Sequence, residues 1–276
     1  MAYGVLYDGN RCIGCRACSV ACKSWNKNPA DLEKKPSVEG GIEGKAVLSD
    51  KTFTFMRFRE IGEGDNLKWA FAKIQCMHCL KPGCETACIV GALHRNKETG
   101  AVSYDKGKCI GCRYCMVACP FGIPTYEWEK RMPWIRKCTF CSDRLNEAEN
   151  GLAPACVTAC PTDALEFGDR EELIAKAWDR INASKEADPA GVGKYVEHIY
   201  GEKEVGGTAW MYISSVDMTE LDLPWLSEEP VTKNARTAMT TLPYYATGML
   251  VLMASIYFIT KRKQKIAAGK HAEKKG

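Results

Sequence analysis

The amino-acid sequence predicts an α+β protein of small cysteine-rich units with insertions between them, followed by one C-terminal helix able to span a membrane. Three observations carry this. Sixteen cysteines in 276 residues fall into four tight groups instead of being scattered. Around the groups, short apolar runs alternate as strands do, whereas Arg170 to Lys185 repeats as a helix does. From Thr237 to Thr260, 24 consecutive residues carry no charge, enough at about 1.5 Å per residue to cross a hydrocarbon core roughly 30 Å thick.

The third cysteine group, Cys109, Cys112, Cys115 and Cys119, reads CIGCRYCMVACP. This C-x2-C-x2-C-x3-C-P run is the spacing with which bacterial ferredoxins hold iron-sulfur clusters. Thiolate is a soft ligand suited to iron, and two-residue gaps let successive sulfurs curl around one small object. The first group, Cys12, Cys15, Cys18 and Cys22, has the same spacing but Lys23 in place of the proline, so its turn must be held in another way. The second, Cys76, Cys79, Cys84 and Cys88, has a wider middle gap containing Pro82 and Gly83, and Ile89 in the proline's place. His78, between two of its cysteines, is read as a group outside the ligand set, either behind it or at the surface. The fourth, Cys138, Cys141, Cys156 and Cys160, precedes Pro161 and contains a fourteen-residue insertion, whose SDRLNEAENG begins like a capped helix and ends at Gly151. Alone, that group would also suit structural zinc; the other three argue for iron.

Four cysteines per cluster give four 4Fe-4S centres with none left over. In two-cluster ferredoxins the fourth cysteine of each run serves the other run's cluster. The gaps of 20 residues between the second and third groups and 18 between the third and fourth leave the pairing open.

Elsewhere, Met1 to Asn10 reads as a strand leading to the first cysteines. It has neither a twin-arginine motif nor a signal-peptide core, so export folded, with a signal-bearing partner, is one expectation and a removed signal the other. Residues 23–75 form a long insertion with Gly40, Gly41, Gly44, Gly62 and Gly64; within it Phe53, Phe55 and Phe58 are expected to face a core from a strand. A hairpin is expected to turn at Glu98-Thr99-Gly100 with Val102 and Tyr104 on one face. Leu173, Ile174, Ala177, Trp178 and Ile181 mark a packing helix, and TAWMYISSV, after Gly206-Gly207, a covering strand. Arg16, Lys23, Arg113, Arg136 and Lys137 flank the ligand runs, where positive charge would raise cluster potentials.

Composition excludes several classes. Net charge is +4, but residues 261–276 alone carry +6, leaving −2 on the remainder; no nucleic-acid partner is indicated. Length and grouping argue against a disulfide scaffold. There is no C-x-x-C-H for haem c, no G-x-G-x-x-G, no P-loop and no H-E-x-x-H. At the C-terminus, Pro243 is expected in the first helical turn after a Thr240 or Thr241 cap. Lys261, Arg262, Lys263 and Lys265 follow the apolar stretch, which by the positive-inside rule puts the tail in the cytoplasm and the cluster domain across the membrane. Tyr244, Tyr245 and Tyr257 would mark the interfaces, and Gly248 and Ser255 a close-packing face.

From Asp8 to about Pro224 the chain resembles the four-cluster iron-sulfur subunits that serve molybdopterin oxidoreductases and membrane-bound nickel-iron hydrogenases. CIGCRACSVACKSWN, FTFMRFRE and CMHCLKPGC resemble the β subunit of formate dehydrogenases of the N/O type. CIGCRYCMVACPF, HIYGEKEVGGT and TELDLP resemble the iron-sulfur subunit of hydrogenase-2-type enzymes. The resemblance implies two nested ferredoxin-like 4Fe-4S units within residues 1–225: an outer one from 1–30 and 130–170, and an inner one from 70–125. A linker at 226–239, a transmembrane helix at 240–260 and a basic cytoplasmic tail at 261–276 would follow. It implies ligand sets of Cys12, Cys15, Cys18 and Cys160; of Cys22, Cys138, Cys141 and Cys156; of Cys76, Cys79, Cys84 and Cys119; and of Cys88, Cys109, Cys112 and Cys115. Since Cys115 is present, all four clusters are expected to be 4Fe-4S.

The implied role is electron transfer, without catalysis by this chain itself. The implied partners are a molybdopterin or nickel-iron catalytic subunit, a quinone-reactive membrane subunit of cytochrome b or NrfD-like type, and membrane lipid. The implied location is the bacterial inner membrane, with the clusters on the periplasmic side. Open alternatives are a subunit of a dimethyl sulfoxide or polysulfide reductase with reverse electron flow, an enzyme whose cluster acts on substrate directly, and a zinc scaffold.

Overall fold

The computed structural model describes residues 3–30, 47–64, 67–146, 152–187 and 194–273. Gly40, Gly41, Gly44, Gly151 and the last three residues of the tail lie outside the described residues. The chain divides into two units, residues 1–231 and 232–276.

Strand β1 (Tyr3–Asp8) leads to the first cysteines and to helix α1 (Ala17–Trp25). A hairpin follows, β2 (Phe55–Ile61) against β3 (Lys68–Ile74), paired from Phe55↔Ile74 to Ile61↔Lys68. The second cysteine group contains the one-turn helix α2 (Gly83–Thr86). Next comes the hairpin β4 (Leu93–Arg95) and β5 (Val102–Tyr104). Its turn is held by Asn96 Oδ1, which accepts from the Glu98 and Thr99 amides. Val102 is buried and Tyr104 half-buried. The one-turn helix α3 (Tyr114–Val117), the small ladder of β6 (Thr125–Tyr126) with β7 (Ile135–Arg136), and the short helices α4 (Ser142–Asn146) and α5 (Ala155–Thr158) complete the cysteine-bearing chain.

The frame comes from residues distant in sequence. Strand β8 (Leu165–Asp169) pairs antiparallel with β1; helix α6 (Arg170–Ala187) follows it, and β9 (Trp210–Ile213) pairs parallel with β1 on its other side. The two-residue alternation sorts this sheet's faces. Leu6, Met211 and Ile213 pack with Leu173, Ala177 and Ile181 of α6. Val5, Tyr7, Trp210 and Tyr212 face the cysteines, in a core shared with Cys18 and Cys156. Helix α6 is capped by Asp169, whose Oδ1 accepts from the Glu171 amide at 2.9 Å.

Lys23 resolves the missing proline. Helix α1 runs through it to Trp25, and its ammonium donates to the Pro29 and Lys51 carbonyls and to Thr52 Oγ1 at 3.0–3.2 Å. Phe53 and Phe55 are buried as expected, although Phe53 precedes β2 and Phe58 is half-buried.

The second unit is helix α7 (Lys233–Glu273). It begins earlier than the apolar composition suggests, which corrects the reading of Pro243: the proline lies inside the helix, not in its first turn. Thr240 and Thr241 accordingly donate to the Thr237 carbonyl. Thr247, Ser255 and Thr260 likewise donate to carbonyls four residues back, keeping their hydroxyl protons satisfied along an apolar surface. Lys233–Ile266 is long and apolar enough to cross a membrane.

Candidate metal centre

Each cysteine group approaches its site on a loop that turns through left-handed backbone. In the first group Gly14 and Arg16 have φ of +66° and +64°; in the third, Gly111 and Arg113 have +73° and +64°. A Cβ on Gly14 would lie 2.9 Å from the rings of Phe58 and Phe71, so glycine is required both for conformation and for approach. Backbone amides point at the sulfurs as a thiolate needs: Gly14 N donates to Cys12 Sγ at 3.5 Å, Ala92 N to Cys88 at 3.1 Å, Gly111 N to Cys109 and Phe140 N to Cys138, both at 3.4 Å.

The sixteen thiols are free, and their nearest electrostatic partners cut across the sequence groups. Cys12, Cys15, Cys18 and Cys160 line one cavity together with Tyr7, Arg16, Met56 and Lys73. Burial pushes the Cys22 thiol up to about 12; Lys73 opposes this, while Cys156, Cys141 and Cys18 add to it. Cys138 is raised by burial and by Cys22. Cys79 is raised by burial and then by Cys76, Cys119 and Cys84. Cys115 is raised to about 11 by burial and then by Cys112, Cys88 and Cys109. Each set's members thus act on one another. Between sets, Cys18 feels Cys156, Cys138 feels Cys76, and Cys84 feels Cys115.

Cys160, the last cysteine of the fourth group in sequence, faces Cys12 instead. The convergence of Cys138, Cys141, Cys156 and Cys160 that a zinc site requires is therefore not what the fold makes. Among the described residues, no three Cys, His, Asp or Glu side chains converge as one metal ion would need, whereas a four-iron cluster asks its thiolates to surround a larger body.

The donor chemistry fits such clusters, and so does an orphaned polar atom. His78 is fully buried, not at the surface, its ring centred 4.8 Å from that of Phe140 and tilted 43° to it. Its Nδ1 accepts from the Val102 amide at 2.9 Å, which places the proton on Nε2, and that atom has no protein partner. An unmet buried donor costs about 1–3 kcal/mol; sulfur of a bound cluster is an acceptor that would satisfy it.

The cations singled out in the sequence are placed differently from one another. Lys137 is buried, donates to the Val102 and Cys138 carbonyls, and lowers the Cys84 thiol against the effect of burial. Arg16 lines the Cys12 cavity and lies over the Phe58 ring. Arg113 stacks on Tyr126 and Trp128. Arg136 binds the Asp50 carbonyl and Asn28.

Sequence reasoning missed Lys73, a buried ammonium that acts on Cys18, Cys22 and Cys138. The available signal was alternation in KWAFAKIQC, which puts Lys73 on the face of Phe71, three residues before Cys76. It also missed a longer repeat. Tyr-Asp precedes both CIGCR runs, and Cys12 and Cys109, each five residues on, add to the effect of burial in raising the pKa of Tyr7 and Tyr104 respectively.

Comparison with known proteins agrees with this centre. Residues 11–92 and 67–170 each match a 4Fe-4S dicluster domain. A protein of Nitratidesulfovibrio vulgaris strain Hildenborough is 41% identical over 99% of this chain and 70% of its own length. The hydrogenase-2 operon protein HybA of Escherichia coli O157:H7 is 34% identical over 95% of this chain and 85% of its own length. The iron-sulfur subunit of the nitrate-inducible formate dehydrogenase of Escherichia coli K12 is 38% identical over 75% of this chain and 66% of its own length. Two dicluster domains and sixteen cysteines correspond to four 4Fe-4S clusters. The chain belongs to the family of iron-sulfur subunits that includes HybA and the iron-sulfur subunits of formate dehydrogenases.

Proposed function

We propose that this chain is the electron-transfer subunit of a membrane-bound hydrogenase or formate dehydrogenase complex, and no catalyst on its own. The observation that carries the proposal is the pair of 4Fe-4S dicluster domains with sixteen free cysteines, and their electrostatic neighbours support an order of four sets. In this reading the first set, Cys12, Cys15, Cys18 and Cys160, adjoins the second, Cys22, Cys138, Cys141 and Cys156. The third, Cys76, Cys79, Cys84 and Cys119, adjoins the second and the fourth, Cys88, Cys109, Cys112 and Cys115. When bound, each 4Fe-4S cluster accepts and releases single electrons.

The chain's residues do the rest. Thiolates hold the iron, the amides of Gly14, Ala92, Gly111 and Phe140 donate to ligand sulfurs, and Val5, Tyr7, Trp210 and Tyr212 exclude water from one side. No substrate pocket is needed for this task.

The electron donor is the catalytic subunit of a hydrogenase or a formate dehydrogenase, as the relatives' names suggest, of nickel-iron or molybdopterin type by the resemblance given above. The acceptor is a quinone-reactive membrane subunit. Helix α7 anchors the chain in the inner membrane with the basic tail in the cytoplasm and the clusters outside, a reading supported by its apolar span and by Lys261, Arg262, Lys263 and Lys265. The test is to purify the chain with its partners from membranes and assay quinone reduction with hydrogen and with formate. Activity with one donor, carried by a copurified large subunit, is expected; activity with neither would overturn the assignment.

A further inference from the structure

Lys73 is a lysine in an unusual position. It lies on β3 opposite Met56 of β2, and only 1% of it is exposed. Its ammonium donates to Thr54 Oγ1 and Gln75 Oε1, each at 3.0 Å, and lies 4.4 Å from the centre of the Trp210 ring. Gln75 is itself held by the Tyr212 hydroxyl, which donates back to the Lys73 carbonyl at 2.8 Å. The position of the charge is therefore fixed by a hydrogen-bonded frame, not by a flexible stem.

Among the described residues no carboxylate pairs with it. A charge buried in that way is costly unless an opposite charge lies nearby. The groups it faces are sulfurs, which would carry the opposite charge as thiolates of a bound cluster. Lys73 lines the cavity of Cys12, Cys15, Cys18 and Cys160, and it also acts on Cys22, Cys138 and Cys156 of the adjoining set. The other cations near the sulfurs are placed differently: Arg16 lines the first cavity, Arg144 acts on Cys141, and Lys137 acts on Cys84.

We propose that Lys73 is the fixed positive charge shared by the two outer clusters, raising the midpoint potentials of both and keeping them close to each other while leaving the two clusters of the inner unit unshifted. A cluster becomes more negative on reduction, so a nearby cation stabilises the reduced form more than the oxidised one. One cation facing the sulfurs of both sets would do this for both. The step between them then needs neither a large rise nor a large fall in potential. Lys73 is a positioning residue in this account, since it contacts no ligand to be transformed.

This inference rests on the four-cluster reading, and the test separates the two. The complex is purified with wild-type chain, with Lys73→Met and with Lys73→Arg. Iron and sulfide are counted first, and midpoint potentials are then measured by titration followed by electron paramagnetic resonance. A wild-type complex without four clusters refutes the four-cluster reading. With four clusters present, Lys73→Met is expected to lower two of the four components. The expected size is a tenfold fall in the ratio of reduced to oxidised cluster at fixed ambient potential, about 59 mV for one electron. Lys73→Arg is expected to restore most of that shift.

Gln75→Glu provides the arm that survives poor assembly of the methionine variant. It keeps Lys73 and places a carboxylate where Gln75 Oε1 now accepts from the ammonium, so the same two components should fall in potential. No shift in Gln75→Glu, a shift in all four components, or an arginine variant that behaves like methionine would each overturn the proposal.

Discussion

Replacing Cys119 by serine is the most informative perturbation of the ligand scheme, because sequence proximity and structure predict different damage. Cys119 closes the run that begins at Cys109, yet its thiol lies among the second group. Burial raises it, the amides of Ile123, Phe121 and Gly122 stabilise its thiolate, and Cys76 is its thiol neighbour. Serine offers a hard oxygen in place of a soft sulfur, so one of four ligands is lost from the cluster of Cys76, Cys79 and Cys84. With about four irons per cluster, iron should fall from about sixteen per chain to between about twelve and fifteen, depending on whether the whole cluster or a single iron is lost. The assay is iron analysis with electron paramagnetic resonance of the purified complex, set beside Cys79→Ser and Cys112→Ser. Cys119→Ser and Cys79→Ser, forty residues apart, should alter the same spectral component. Cys112→Ser should alter another. If Cys119→Ser and Cys112→Ser instead struck the same component and spared that of Cys79, the crossed assignment would be wrong.

Three further outcomes are expected. Gly14→Ala should cost about 1–2 kcal/mol for its left-handed backbone, plus about 1–3 kcal/mol for overpacking against Phe58 and Phe71. Iron analysis should show the Cys12 cluster lost first, whereas Gly91→Ala, which carries the same left-handed backbone cost but whose Cβ would meet nothing within 4 Å, should keep the Cys12 cluster. His198 donates a charged hydrogen bond to Glu204 at 2.6 Å, which raises its pKa above the ordinary value. The resulting stability is complete below the ordinary histidine pKa and is lost as pH rises through the raised one; melting temperature should decline across that window, and His198→Gln should flatten the decline. Leu252→Arg, in the apolar stretch of α7, should disfavour insertion by about 3–4 kcal/mol on the translocon scale. The chain's share in the membrane fraction should drop while its soluble cluster content is kept.

What could be read from the sequence was whatever depends on short spacing. The four cysteine groups, the β1 lead-in, the β4–β5 hairpin and the apolar face of α6 each follow from residues within a turn or two of one another. Pairing between groups was not legible in spacing, since gaps of 18 and 20 residues suit more than one arrangement. The domain matches have the same limit: residues 11–92 join the first two groups in sequence, while the fold sets Cys160 against Cys12. That juxtaposition is created by β8 pairing with β1, a contact between residues about 160 positions apart. Lys73 escaped notice because a lysine in a strand normally signals a solvated face, and only the three-dimensional grouping of Cys18, Cys22, Cys138 and Cys156 turns it inward. Pro243 was misplaced because lack of charge located the apolar core of α7 and not its start; the helix begins at Lys233, within a stretch that still carries charge.

The central claim is that one chain holds four 4Fe-4S clusters in succession. Its most direct test is metal and sulfide analysis of the purified complex, with the contribution of this chain isolated by comparing wild type with the cysteine variants. The account predicts a brown protein with about sixteen irons and about sixteen acid-labile sulfides on this chain, four for each set of four cysteines. A colourless chain that carries zinc, without iron or sulfide, would contradict it.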